Sequence, residues 1–159
     1  MFFDLSDTRV HVEQSGRGEA LLLLHGFTDA GCNWLPLVAV LEETHLVIRP
    51  DARGHGLSAR LDRDFTLDDL AAYVIGVLDG LGIAKAALLG HSMGASTAAR
   101  VAALHPERIT RIVLEDPAWR RSKPATVYTP NPFEPMLRDF QNASSDEQLS
   151  LAFASNPDW

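Results

Sequence analysis

Ser92 stands in Gly90-His91-Ser92-Met93-Gly94, directly after the apolar run Ala86-Ala87-Leu88-Leu89. In a G-x-S-x-G pentapeptide the serine acts as a nucleophile when a buried strand leads in and a helix leads out. The sharp turn between them exposes the hydroxyl, and the two glycines let the backbones pass without side-chain collision. Both flanks meet that condition. Lys85 to Leu89 is short, apolar and bounded by a glycine, which predicts a strand buried on both faces of a parallel sheet. Gly94, Thr97, Ala98, Val101 and Ala102 recur at helical spacing and are small, which predicts a helix lying close to that sheet. The N–H of Met93, first in that helix, would point at an oxyanion forming beside Ser92. The competing reading is a glycine-bounded turn with an idle serine.

Acyl transfer needs a second donor for the same oxygen, and the loop after a neighbouring strand is the usual source. Ala20-Leu21-Leu22-Leu23-Leu24 ends in His25-Gly26-Phe27-Thr28. The Phe27 N–H is the second candidate donor, Gly26 permits the turn, and His25, Gly26 and His91 are candidates to line the substrate pocket. The alternative for the segment read alone is an ordinary glycine turn at a strand end. A third segment, Arg49-Pro50-Asp51-Ala52-Arg53-Gly54-His55-Gly56-Leu57-Ser58, follows the strand-like Leu46-Val47-Ile48 and reads as a compact structured loop, with Asp51 and His55 bonded within it.

Taken together, H-G-F, R-P-D-x-R-G-H-G-x-S and G-H-S-M-G, each after a strand and in this order, resemble the α/β-hydrolase superfamily over residues 1 to 119. The resemblance implies a mostly parallel sheet with helices on both faces, a serine-histidine-acid triad, a lid inserted after the sixth strand, and hydrolysis of small esters, lactones or related carbonyl compounds. The superfamily's chain order is nucleophile, acid, histidine. The only histidine after Ser92 is His105, at the far end of the helix Ser92 opens. Twelve helical residues at ~1.5 Å each put it about 18 Å away, too far to be the base. His25 and His91 belong to segments whose main chain does the work, and His11 and His45 read as strand-edge residues. Without a base a serine hydroxyl is a weak nucleophile at neutral pH. The expectation is therefore the N-terminal part of a longer hydrolase, nearly inactive alone.

The other elements suit the same fold. Residues 1 to 5 and 8 to 14 alternate enough for an antiparallel pair, with Val10 and Val12 facing inward. Trp34 to Leu41 predicts a helix with Pro36 in its first turn. Thr66 to Leu81 predicts another, with Leu67, Leu70, Ala71, Val74, Leu78 and Leu81 on one face, Thr66 and Asp69 as a capping box, and Gly82 as the stop. Ile109 to Leu114 is the last predicted core strand. With no further strand beside it, Ile112, Val113 and Leu114 would line an open apolar edge, which predicts a complementing C-terminal segment or chain, or self-association. Asp116, just past that strand, is a candidate catalytic acid; the alternative is that Glu115 and Asp116 bond loop amides.

From Pro117 onward the chain carries six of its nine prolines, as a segment leaving the sheet would. Residues 120–159 are read as the beginning of a cap, with short helices over 133–140 and 145–154. Trp119, Met136, Phe140 and Phe153 are candidates for an apolar pocket or for the core of the lid.

Composition bounds the rest. The 159 residues are 46% hydrophobic and 22% charged, ordinary for one globular domain. A net charge of −7 and no basic stripe argue against nucleic acid. Single Cys32 excludes an internal disulfide and suits a reducing compartment. Met1-Phe2-Phe3-Asp4 lacks the features of a signal peptide, and no apolar run approaches a membrane span, so a cytoplasmic protein acting on a small molecule is expected, without membrane contact. No histidine pattern suggests a metal and no glycine-rich loop a nucleotide, so no cofactor is expected. The rival reading is a non-catalytic ligand-binding or interaction protein of the same fold with Ser92 vestigial. A third is an inactive truncated fragment.

Overall fold

The computed structural model describes residues 1–60 and 65–118. Six strands form one sheet: β1 (Phe2–Asp4), β2 (Arg9–Gly16), β3 (Glu19–Leu24), β4 (His45–Pro50), β5 (Ala86–His91) and β6 (Ile109–Glu115). Their spatial order is β1-β2-β4-β3-β5-β6. The first three members of that order pair antiparallel, and β4, β3, β5 and β6 pair parallel. Parallel neighbours require crossovers, which α1 (Leu35–Leu41), α2 (Leu67–Gly80) and α3 (Met93–Leu104) supply.

The period of two along each strand divides the core between the faces. Leu22, Leu24, Ile48 and Leu88 join Val10 and Val12 under α2 and α3, against Leu70, Val74, Leu78, Ala98 and Val101. Leu21, Leu23, Val47 and Ala87 point the other way, against Trp34 and Val38. An unbroken leucine run is what a strand buried on both faces needs, and each such side chain removed from water contributes roughly 1.5–3 kcal/mol. The sheet is thus mostly parallel with helices on both faces.

Local signals set the helix limits. Thr66 Oγ1 accepts the Asp69 N–H at 3.2 Å, and Asp69 Oδ2 accepts the Thr66 N–H at 2.7 Å, so the expected capping box closes reciprocally. Beyond the other end of α2, Gly82 takes φ +67, which a side chain would resist.

Four expectations need correction. The face of α2 includes Tyr73 (2% exposed) and Val77, whereas Leu67, the first residue of the helix, is 40% exposed. The helix predicted from Trp34 begins at Leu35, after a 3-10 turn over Gly31–Trp34. The strand predicted to end at Leu89 continues to His91, since β6 pairs with it as far as Glu115. His11 is no bare edge residue: its ring lies against Phe2, and Nδ1 is 2.9 Å from Asp51 Oδ2.

Among the described residues β6 pairs only with β5, and Ile112 and Val113 are 38% and 54% exposed. Backbone contacts divide the chain into Met1–Trp119 and Arg120–Trp159. Trp119, Met136, Phe140, Phe153 and the helices expected over 133–140 and 145–154 lie outside the described residues. No helix among the described residues is long and apolar enough to cross a membrane.

Candidate active site

Ser92 occupies φ 50, ψ −111 between β5 and α3. These angles match the first central position of a type II′ turn, normally a glycine position, and holding a serine there costs of order 1–3 kcal/mol. The turn is wedged in place by close backbone packing. A Cβ on Gly94 would sit 2.0 Å from the Leu24 carbonyl oxygen, and one on Gly90 would sit 2.3 Å from that of Gly94. Only glycine lets α3 start directly against the end of β3, and that contact brings the serine turn to the His25-Gly26-Phe27 loop.

The loop after β6 completes the surround. The Ser92 N–H donates to the Glu115 carbonyl at 2.9 Å, and the Ala118 N–H donates to the Ser92 carbonyl at 3.4 Å. Asp116, which takes φ 43, lies between these two attachments and is exposed. Aspartate tolerates the left-handed region better than most residues, so a turn role and an acid role are both open to it.

The Met93 N–H begins α3 and has no intrahelical acceptor. Neither it nor the Phe27 N–H donates to another group among the described residues. Gly26 is held on one side by Asp29, whose Oδ2 accepts its N–H at 3.2 Å. On the other, His91 stands close enough that a Cβ on Gly26 would meet its Nδ1 at 2.9 Å. His91 Nδ1 and Asp29 Oδ2 are 3.5 Å apart. A pocket here is lined by His25, Asp29, Asn33, Trp34, His91 and Glu115. Of these, Asp29, Asn33, Trp34 and Glu115 escaped sequence reasoning; the position of Asp29 within the same loop as Phe27 was the one available signal.

His25 is 2% exposed. Its Nε2 accepts the Ala52 N–H at 2.9 Å, so the ring proton sits on Nδ1, which donates to the Gly26 carbonyl at 2.7 Å. Burial, with a smaller contribution from nearby His55, pushes its pKa down to about 4, so the ring is neutral at physiological pH. His55 faces two carbonyls, with Nε2 2.7 Å from that of Phe27 and Nδ1 2.9 Å from that of Arg53.

Asp51 is the hub of the Arg49 to Ser58 segment. Its carboxylate accepts the Gly31 N–H at 2.7 Å and the Leu57 N–H at 2.9 Å, besides facing His11. Burial opposes the charge, but these hydrogen bonds outweigh it and hold the carboxyl below the usual range. Arg49 pairs with Glu13 at 2.7 Å and Arg53 pairs with Asp7. The segment thus ties β2, β4 and the loop after β3 into one frame.

His105 caps the C-terminal end of the 12-residue α3, with Ser92 at the other end, so the two are not brought together. Among the described residues no three His, Cys, Asp or Glu side chains are grouped to hold a metal ion.

A family model described as the alpha/beta hydrolase fold matches residues 19–149. The chain is 37% identical over 110 residues to a 2-hydroxymuconate semialdehyde hydrolase of Pseudomonas sp. (strain CF600), covering 67% of this chain and 39% of that protein. Among solved structures, a hydrolase from Pseudomonas aeruginosa PA01 superposes with TM-score 0.77 at 27% identity, covering 98% of this chain and 58% of that one. Carboxylesterase CesB from Bacillus subtilis does so with TM-score 0.70 at 28% identity, covering 74% and 42%. The chain therefore spans about two fifths of the curated relative's length. With sequence and sheet both matched across the segment that carries the serine turn, the chain belongs to the α/β-hydrolase fold family.

Proposed function

We propose that this chain carries the nucleophile and oxyanion hole of a serine hydrolase acting on small esters, lactones or related carbonyl compounds. The carrying observation is the Ser92 backbone at φ 50, ψ −111, at the end of β5 and the start of α3. Strain of this kind persists only where the surroundings enforce it, and here it leaves the hydroxyl at the head of a helix. Ser92 Oγ attacks the substrate carbonyl carbon, and its proton passes to a base. The carbonyl oxygen becomes an oxyanion met by the Met93 and Phe27 N–H groups, and its collapse expels the alcohol, which takes up the proton. Water then hydrolyses the acyl-serine by the same steps, and no cofactor takes part.

In this reading the base is a histidine outside residues 1–159, from a longer polypeptide or a partner chain. Asp116, in the loop bonded to the Ser92 backbone, is the candidate acid to orient it. The exposed β6 edge, with Ile112 and Val113, is where the complementing segment would add. Residues 1–159 alone would then turn over ester slowly or not at all. The hydrolase names of the relatives support the general activity; the choice of ester or related carbonyl rests on the chemistry of the serine and its two donors.

The test is labelling by a fluorophosphonate probe in the full gene product. Labelling that disappears in Ser92→Ala, together with loss of ester turnover, supports the proposal. Full esterase activity in Ser92→Ala would end it. Specific small-molecule binding with no labelling would favour the non-catalytic reading.

A further inference from the structure

The Gly26 carbonyl and the Phe27 N–H are the two ends of one planar peptide group. Whatever orients the carbonyl therefore aims the N–H in the opposite direction. The carbonyl accepts two hydrogen bonds, from His25 Nδ1–H at 2.7 Å and from the Asp29 N–H at 3.2 Å. The flanking groups are also held, the Gly26 N–H by Asp29 Oδ2 at 3.2 Å and the Phe27 carbonyl by His55 Nε2 at 2.7 Å. The Phe27 N–H is the group in this stretch left without a partner among the described residues.

We propose that His25 is a positioning residue. Its ring, locked as the Nδ1–H tautomer by the Ala52 N–H, fixes the Gly26–Phe27 peptide so that the Phe27 N–H points into the oxyanion site. The inference rests on the serine-hydrolase reading for its catalytic consequence, but the pinning itself does not. A hydrogen-bonded carbonyl also polarises its own peptide, which makes the N–H at the other end a stronger donor. The tautomer is enforced from behind: an Nε2–H proton would meet the Ala52 N–H head-on, which the 2.9 Å separation forbids. The ring lies 5.2 Å from that of His55, centroid to centroid, and the carboxylates of Asp51 and Asp29 also act on it. Burial outweighs those carboxylates and keeps the ring neutral.

The arrangement predicts a specific split of kinetic effects. Misaiming one donor weakens an interaction made chiefly in the transition state, so kcat falls while KM holds. Complete loss of such a donor costs ~10²–10³ in kcat, which is the upper bound for misaiming.

Two measurements test this. In the full gene product, nitrogen-15 spectra of the imidazole report the tautomer directly. The expected result is Nδ1–H with Nε2 bare, unchanged between pH 7 and pH 5. An Nε2–H ring, or one that protonates in that interval, overturns the proposal. In the full gene product, His25→Phe removes both hydrogen bonds, and His25→Asn restores a donor towards the Gly26 carbonyl. The expected outcome is a kcat loss of about tenfold or more for Phe, with KM within about threefold and at least partial recovery in Asn. Wild-type kcat in a folded Phe variant overturns it. If the Phe variant does not fold, the tautomer and the shift of the Phe27 amide in the Asn variant decide the matter. Absence of Ser92 labelling would remove the hydrolase reading and leave the spectra to judge the pinning, so the two failures are distinguishable.

Discussion

Gly94→Ala puts the packing of the serine turn to a direct test. The added Cβ would lie 2.0 Å from the Leu24 carbonyl oxygen, 2.4 Å from its carbon and 2.8 Å from the His25 carbonyl oxygen. Ordinary contact begins near 3.4 Å, so α3 must retreat from β3 by more than an ångström or the end of β3 must bend. Both partners are backbone, and no side chain can swing aside to absorb the overlap. The cost therefore falls at the upper end for overpacking, about 3 kcal/mol, or roughly 10 °C in melting temperature for a chain of this size. The same retreat displaces the Met93 N–H and Ser92 from the Phe27 N–H, and a shift of about 1 Å is worth ~10²-fold in rate. Thermal melts followed by circular dichroism give the first quantity, and ester turnover of the full gene product gives the second. Gly82→Ala is the control: nothing lies within 4 Å of its Cβ, and only φ +67 opposes the substitution, so about 1 kcal/mol is expected. A Gly94→Ala protein that melts with the control and turns over ester within twofold of wild type would refute the close-packing argument.

Acid should destabilise the fold through His25. Its folded pKa of about 4 lies below the 6.5 of a free imidazole, so the unfolded chain binds more protons between those limits, and stability present above pH 6.5 drains away as pH falls towards 4. At ~1.36 kcal/mol per pH unit the loss is about 3 kcal/mol. Urea melts of wild type and His25→Gln at pH 7, 5.5 and 4 should converge by that amount, and parallel lines would sink the account. Ser92→Gly should relieve the strain at φ 50 and raise stability by about 1 kcal/mol, while abolishing fluorophosphonate labelling; a lower melting temperature would count against strain. Thr66→Ala removes the acceptor for the Asp69 N–H and should cost about 1 kcal/mol, measured by denaturant melts with amide exchange rising first at the start of α2.

Periodicity made most of the fold legible. The leucine run of β3 announces burial on both faces, and Thr66, Asp69 and Gly82 announce the ends of α2, because the physics involved lies within a few residues of chain. The exceptions have physical causes. Tyr73 carries a hydroxyl that disguises it as a surface residue, yet the structure buries it completely enough to push its pKa up. Leu67 satisfies the periodicity but is the first residue of α2 and stays 40% exposed, which periodicity alone does not reveal. β5 gains Gly90 and His91 because β6 pairs alongside, a contact between distant parts of the sequence.

The candidate site divides the same way. Its elements are sequence-encoded: a serine between glycines, a strand before, a helix after, and a second loop whose N–H has no strand to bond. Sequence alone therefore determined the family and singled out the candidate nucleophile and the two candidate donors. Which side chains hold those donors was decided by tertiary structure. The sequence offers His25 as a candidate pocket-lining residue; folding set its two nitrogens between the Ala52 N–H and the Gly26 carbonyl, buried it and fixed its tautomer. Asp29 came to lie between Gly26 and His91, and Asp51 gathered amides from Gly31 and Leu57. These assignments join residues distant in the chain, 27 positions apart in the case of His25 and Ala52 and 62 in that of Asp29 and His91. A hydrogen bond depends on tenths of an ångström between such residues, whereas the hydrophobic pattern that builds the sheet depends only on their order along the chain.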